Sequence, residues 1–160
     1  MIDGFSNLSD KFENIIKSNQ WEKLVSDFKN SDEIFLIGNG GNWAVCNHGA
    51  CDMNRLFSKN NINKNIESLD SQSLITSISN DYGYNHLYMK WIKSKINFNK
   101  DKKCMIIGIS SSGNSKNILT PLYYANQEGI NCCLISGTKS NALDENINEV
   151  VIDTNYFHTA

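Results

Sequence analysis

The sequence predicts an α/β protein, a three-layer α/β/α sandwich with a parallel sheet, and three observations predict it. Short apolar runs rich in β-branched residues recur along the chain. Each is apolar on both faces, as strands covered by helices on either side must be. Segments of helical length and period separate them, and that alternation is the signature of parallel strands joined by helical crossovers. The chain of 160 residues is long enough for one core, and residues 1–160 are read as a single domain with N-terminal helices in 1–30 and an α/β core in 31–154.

The elements follow in order. Phe5, Leu8, Phe12, Ile15 and Ile16, then Trp21, Leu24, Val25 and Phe28, recur at spacings of three and four, which predicts one or two helices before the first strand. The run Glu33 to Gly38 (EIFLIG) is the first strand, Cys104 to Ser110 (CMIIGIS) the next strong one, and Asn131 to Ser136 and Glu149 to Asp153 are two more. A weaker strand is expected at Asn65 to Leu69. Helices are expected at Asn42 to Phe57, at Ser73 to Ser94 with a break near Gly83, and at Ser115 to Gln127 with a kink at Pro121. The lysines between Lys93 and Lys103 read as a solvated loop.

Composition narrows the function. Apolar residues make up 40% and charged residues 20%, and 15 Lys plus Arg against 17 Asp plus Glu give a net charge of -2. Nucleic acid and anionic membrane surfaces both call for clustered cations, so neither is an expected partner. Five cysteines, odd in number and without CxxC spacing, suggest reduced thiols. The polar, amphipathic start and the lack of a long apolar run predict a cytoplasmic protein.

Ligands of open α/β sheets bind beyond the carboxyl ends of the strands, and two such junctions stand out. The segment Ser110 to Asn117 (SSSGNSKN) sets Ser110, Ser111, Ser112 and Ser115 around Gly113, just before a helix. Backbone N–H groups at a helix N-terminus and four hydroxyls suit a phosphate; a plain helix cap needs only one of them. The residues alone leave both readings open. The other junction, Gly38 to Arg55, holds Gly40 and Gly41 at a turn and then His48 and Asp52, four apart on one helical face. Such a pair serves as two zinc ligands, as a base with its partner, or as a surface hydrogen bond.

Taken together, IFLIGNGGN, the helix bearing His48 and Asp52, NDYGY (Asn80 to Tyr84) and GISSSGNSKNI resemble the sugar-isomerase (SIS) domain of the phosphoheptose isomerase family. The resemblance implies a flavodoxin-like fold, a homotetramer or other homo-oligomer, and conversion of D-sedoheptulose 7-phosphate to D-glycero-D-manno-heptose 7-phosphate. It places substrate contacts on Asn39, Gly40, Gly41, Asn80, Asp81, Ser110, Ser111, Ser112 and Ser115. It places the metal-binding His on His48, and the Glu that is both zinc ligand and base on Asp52. The chain departs from the family in three ways: Asp52 is one methylene shorter than Glu, Asn42 stands where Ser is common, and the C-terminal helix with further metal ligands and a second acid/base His is absent. His158 is a conceivable stand-in for that His and His86 a packed or surface residue. The expected cofactor is therefore zinc with an incomplete ligand set in this chain. Three readings result: an active isomerase with Asp52 and His48 as catalytic pair, a non-catalytic sugar-phosphate-binding or regulatory protein, and a shortened inactive isomerase.

Overall fold

A computed structural model describes residues 8–98 and 101–153. Two helices come first, α1 (Leu8–Ile16) and α2 (Asn19–Asn30). Ser18 separates them, because its Oγ accepts the Trp21 amide at 3.2 Å and so caps the start of α2. Then follow β1 (Glu33–Gly38), α3 (Gly41–Lys59), β2 (Asn65–Ser68), α4 (Gln72–Tyr82), a single 3-10 turn (Tyr84–His86), α5 (Leu87–Phe98), β3 (Cys104–Ser110), α6 (Lys116–Gln127), β4 (Asn131–Ser136) and β5 (Asn148–Val151). His86 is exposed within that turn, and Phe5, Lys100 and His158 lie outside the described residues.

The five strands form one parallel sheet in the order β2-β1-β3-β4-β5, which is the flavodoxin-like order. Because side chains alternate across a strand, the sheet divides the core in two. On one face Phe35, Ile37, Ile106 and Leu134 pack with Leu87, Trp91 and Ile92 of α5 and Ile118 and Leu122 of α6. On the other, Ile34, Ile66, Met105, Ile107 and Val150 meet Leu24 of α2 and Ala50 and Phe57 of α3. Each fully buried aliphatic or aromatic side chain contributes about 1.5–3 kcal/mol, so both faces must be covered for the sheet to persist.

Helix α6 runs unbroken through Pro121. The amide that this proline lacks would have met the Asn117 carbonyl near the start of the helix, and Pro121, Leu122 and Ala125 are buried in the core, which offsets one lost bond. Two expectations change. Lys93 and Lys95 belong to α5 and not to a loop: Lys93 Nζ sits 4.3 Å from the centre of the Tyr124 ring and Lys95 pairs with Glu67 at 2.5 Å. The last strand is Asn148–Val151, one residue earlier at its start and two shorter at its end than its apolar pattern suggested.

Between β1 and β3 the direction of strand progression reverses, since β2 is reached on one side and β4 on the other. Gly38 pairs with Ile109 in register there. The crevice at such a switch point is the expected place for a ligand.

Candidate functional site

The loops leaving β1 and β3 face each other across that crevice. Asn39, Gly40, Gly41, Asn42 and Val45 from one side and Ile109, Ser110, Ser111, Ser112 and Ser115 from the other line a cavity of about 470 Å³. Gly40, with φ 55°, turns the chain from β1 into α3 without a side-chain cap. The serine loop is held in a compact form by its own bonds and by the β4 loop: the Gly113 amide donates to the Ser110 carbonyl at 3.1 Å, and the Thr138 amide donates to the Ser111 carbonyl at 3.1 Å. Gly113 has φ 69°, and a Cβ there would lie 2.8 Å from the Thr138 carbonyl oxygen. Only glycine meets both demands.

The hydroxyls are not equivalent. Ser110 Oγ donates to Ser115 Oγ at 3.2 Å, so these two sit together at the start of α6. Ser111 Oγ accepts from Asn42 Nδ2 at 3.2 Å, and Ser112 Oγ accepts the Asn114 amide at 3.3 Å. Each of these acceptor roles leaves the hydroxyl hydrogen free to donate outward. Helix α6 starts at Lys116 with Ser115 in the cap position but no side-chain cap bond, so the hydroxyl of Ser115 is not spent in capping. Three hydroxyls with a hydrogen to donate, those of Ser111, Ser112 and Ser115, and the amides of a helix start thus converge on one cavity wall, an arrangement suited to a phosphate.

Asn39 is the hinge of the arrangement. Its Nδ2 donates to Asn117 Oδ1 at 2.9 Å, and its Oδ1 accepts from Asn117 Nδ2 at 2.8 Å and from Tyr84 Oη at 2.9 Å. The ends of β1, α4 and the start of α6 are thereby tied together. Sequence reasoning passed over Asn117 and Tyr84. A signal for the first existed, because Asn117 shares a helical face with buried Pro121 and Ala125, and an amide on a buried face requires a partner. Tyr88 lies beneath: its buried hydroxyl donates to the Gly38 carbonyl, and burial, with Tyr84 adding to it, raises its pKa well above the usual tyrosine value.

His48 and Asp52 share a face of α3 as expected, with Nε2 and Oδ2 3.3 Å apart and side chains 81% and 51% exposed. Arg55 adds a contact to Asp52 at 3.8 Å. They do not line the serine cavity; Asp52 borders a separate open groove with Arg55 and Leu56. Asn80 and Asp81 are also exposed at the end of α4, bonded to each other at 3.0 Å, and they lie outside the cavity wall. Tyr84, three residues past Asp81, is what connects that segment to Asn39. For zinc, the donor set falls short: a catalytic zinc takes three protein ligands, His48 and Asp52 provide two, and among the described residues there is no group of three or more His, Cys, Asp and Glu that could hold a metal.

No family model matches the chain. Among characterised proteins it is 33% identical over 138 residues to phosphoheptose isomerase 2 of Campylobacter jejuni, a match covering 84% of this chain and 67% of that protein. The chain belongs to the phosphoheptose isomerase family. A second member, from Aneurinibacillus thermoaerophilus, is 34% identical over 109 residues, 68% of this chain and 53% of that one. The chain therefore spans between about half and two thirds of these relatives' length. The fold is that of solved phosphoheptose isomerases from Francisella tularensis (TM-score 0.73, 17% identity, 96% of this chain and 84% of that one) and Neisseria gonorrhoeae (0.70, 22%, 95% and 82%). Within the family's fold, the serine loop and the Asn39 turn occupy the switch point of the sheet, and none of the described helices is long and apolar enough to cross a membrane.

Proposed function

We propose that the protein is a phosphoheptose isomerase, interconverting D-sedoheptulose 7-phosphate and D-glycero-D-manno-heptose 7-phosphate through an enediol. The observation that carries this reading is the four-serine loop at the start of α6, facing the Asn39–Gly40–Gly41 turn across one cavity. The phosphate sits on the serines. Val45 lines the cavity, and His48 and Asp52 follow three and seven residues later on the same face of α3. At about 1.5 Å per residue Asp52 stands about 10 Å along the helix from Val45. The substrate carries its phosphate on C7 and reacts at C1 and C2, so the base belongs at a distance from the phosphate loop.

In this reading Asp52 removes the proton from C1 and returns it to C2, His48 orients Asp52 through their contact, and Asn39, Asn80 and Asp81 hold sugar oxygens. The described residues do not complete a zinc site, so no step is routed through metal; His48 and Asp52 hold zinc weakly at most. Exposed apolar side chains on α3 and α4, among them Val45, Leu56, Leu74 and Tyr82, support a homo-oligomer, read as a tetramer, working in the cytoplasm. A discontinuous assay with sedoheptulose 7-phosphate, following appearance of the aldose, tests the reading; absence of turnover in protein that binds the sugar phosphate favours the alternative, a sugar-phosphate-binding protein. One observation supports that alternative, namely the exposure of His48 and Asp52.

A further inference from the structure

We propose that Asn117, together with Tyr84, is a positioning residue that locks the Asn39 amide so that it presents a single N–H donor, and no acceptor, to the sugar end of the cavity. This rests on the reading of the cavity as a sugar-phosphate site. The argument is a count of valences. The Asn39 carbonyl oxygen has two lone pairs, and both are engaged, by Asn117 Nδ2 at 2.8 Å and by Tyr84 Oη at 2.9 Å. The Asn39 Nδ2 has two hydrogens, and one is engaged by Asn117 Oδ1 at 2.9 Å. One N–H is left, on a residue that lines the cavity.

The reciprocal amide pair and Tyr84 together fix the orientation. A flip of Asn39 alone would set nitrogen against nitrogen and oxygen against oxygen across the pair. A flip of both together would restore the pair, but it would turn Asn39 Nδ2 toward Tyr84 Oη, and a phenol is a better donor than acceptor, so the bond that Tyr84 donates selects the observed orientation. The hydroxyl of Tyr84, on a half-exposed ring, adds a third contact from a different segment. The outcome is selective: the locked amide accepts no hydrogen bond from a ligand hydroxyl, and it donates to an oxygen that offers a lone pair. A sugar carbonyl or an oxygen gaining negative charge fits that demand, and inorganic phosphate bound at the serines has no need of it.

The experiment is a calorimetric titration of the full chain and of Asn39→Ala, Asn117→Ala, Tyr84→Phe, Asn39→Ala/Asn117→Ala and Asn39→Ala/Tyr84→Phe, with sedoheptulose 7-phosphate and, separately, with inorganic phosphate. Loss of one neutral hydrogen bond corresponds to roughly threefold to tenfold in affinity. Asn117→Ala and Tyr84→Phe are each expected to weaken the heptose phosphate by that factor, to leave inorganic phosphate within about twofold, and to have no further effect once Asn39 is alanine. Tyr84→Phe removes only a hydroxyl, so the inference stays testable should Asn117→Ala fold poorly. Equal losses for both ligands, a full additional loss in the Asn39→Ala background, or unchanged heptose phosphate affinity in both single variants would overturn it. Wild-type chain that binds heptose phosphate without turning it over refutes the isomerase reading alone; wild-type chain that binds neither ligand refutes both.

Discussion

Replacing Gly113 with alanine separates the shape of the serine loop from its chemistry. The residue sits at φ 69°, and placing a side chain in left-handed backbone costs about 1–2 kcal/mol. The new Cβ would also stand 2.8 Å from the Thr138 carbonyl oxygen and 3.1 Å from Ser140 Cα. Both are backbone atoms, so the loop after β4 has to give way. That movement strains the bond from the Thr138 amide to the Ser111 carbonyl, worth about 0.5–1.5 kcal/mol. The total is about 2–3 kcal/mol, or a melting temperature lower by roughly 5–10 °C in a domain of this size. Gly129→Ala is the control: its φ is 68° and nothing lies within 4 Å of the added carbon, so it carries the conformational part alone. Chemical denaturation of the two variants beside the parent, with calorimetric titration of phosphate, reads both effects. Gly113→Ala is expected to lose more stability than Gly129→Ala and to bind phosphate at least tenfold more weakly, while Gly129→Ala keeps its affinity. Equal losses of stability, or phosphate affinity preserved in Gly113→Ala, would show that the contact with the β4 loop does not shape the site.

Other expectations are narrower. Ser112→Ala removes one donor to a charged ligand and should weaken phosphate binding by about tenfold to a hundredfold, read by calorimetry. Asp52→Asn keeps the size and removes the base; with the side chain half exposed, the melting temperature should hold while turnover of sedoheptulose 7-phosphate falls by about 10²–10⁴, and a variant with normal turnover would place the base elsewhere. Elemental analysis of protein purified without chelator should find well under one zinc per chain, because two protein donors hold zinc weakly; one tightly held zinc per chain would contradict this. Alkali should destabilise the fold. Burial pushes the thiols of Cys46 and Cys133 up to about 12 and that of Cys132 to about 11, from 9.0, so the folded state favours the protonated forms. Their contribution is complete below pH 9 and is lost as the pH rises toward 11–12, visible as a falling denaturation midpoint across that window. Exposed Cys51, in contrast, should take up a maleimide at neutral pH while the other four cysteines resist.

Strands such as Glu33–Gly38 and Cys104–Ser110 were legible because they are apolar on both faces and end in residues that stop a strand. The loops that follow them were legible as sites because the topology of a parallel sheet assigns ligands to those ends. Asn39 with Asn117 was not, since the two are 78 residues apart in sequence and meet only because β1 and β3 pair with Gly38 opposite Ile109; no local pattern encodes a register. The lysines of α5 misled for a related reason. Cation and carboxylate partners such as Lys95 with Glu67 are drawn from another element, and a run of lysines alone reads as solvated chain.

The two loops of the cavity spring from β1 and β3, strands of six and seven residues, each hydrogen-bonded on both sides, whereas the outermost strands β2 and β5 have only four residues each. Backbone amides open in cooperative units, and short border strands belong to the units that open most readily. Hydrogen exchange should therefore be slowest in β1 and β3 and faster by orders of magnitude at β2 and β5. In a population of partly opened molecules the borders come apart first, while the paired strands that carry the Asn39 turn and the serine loop persist until the whole domain unfolds.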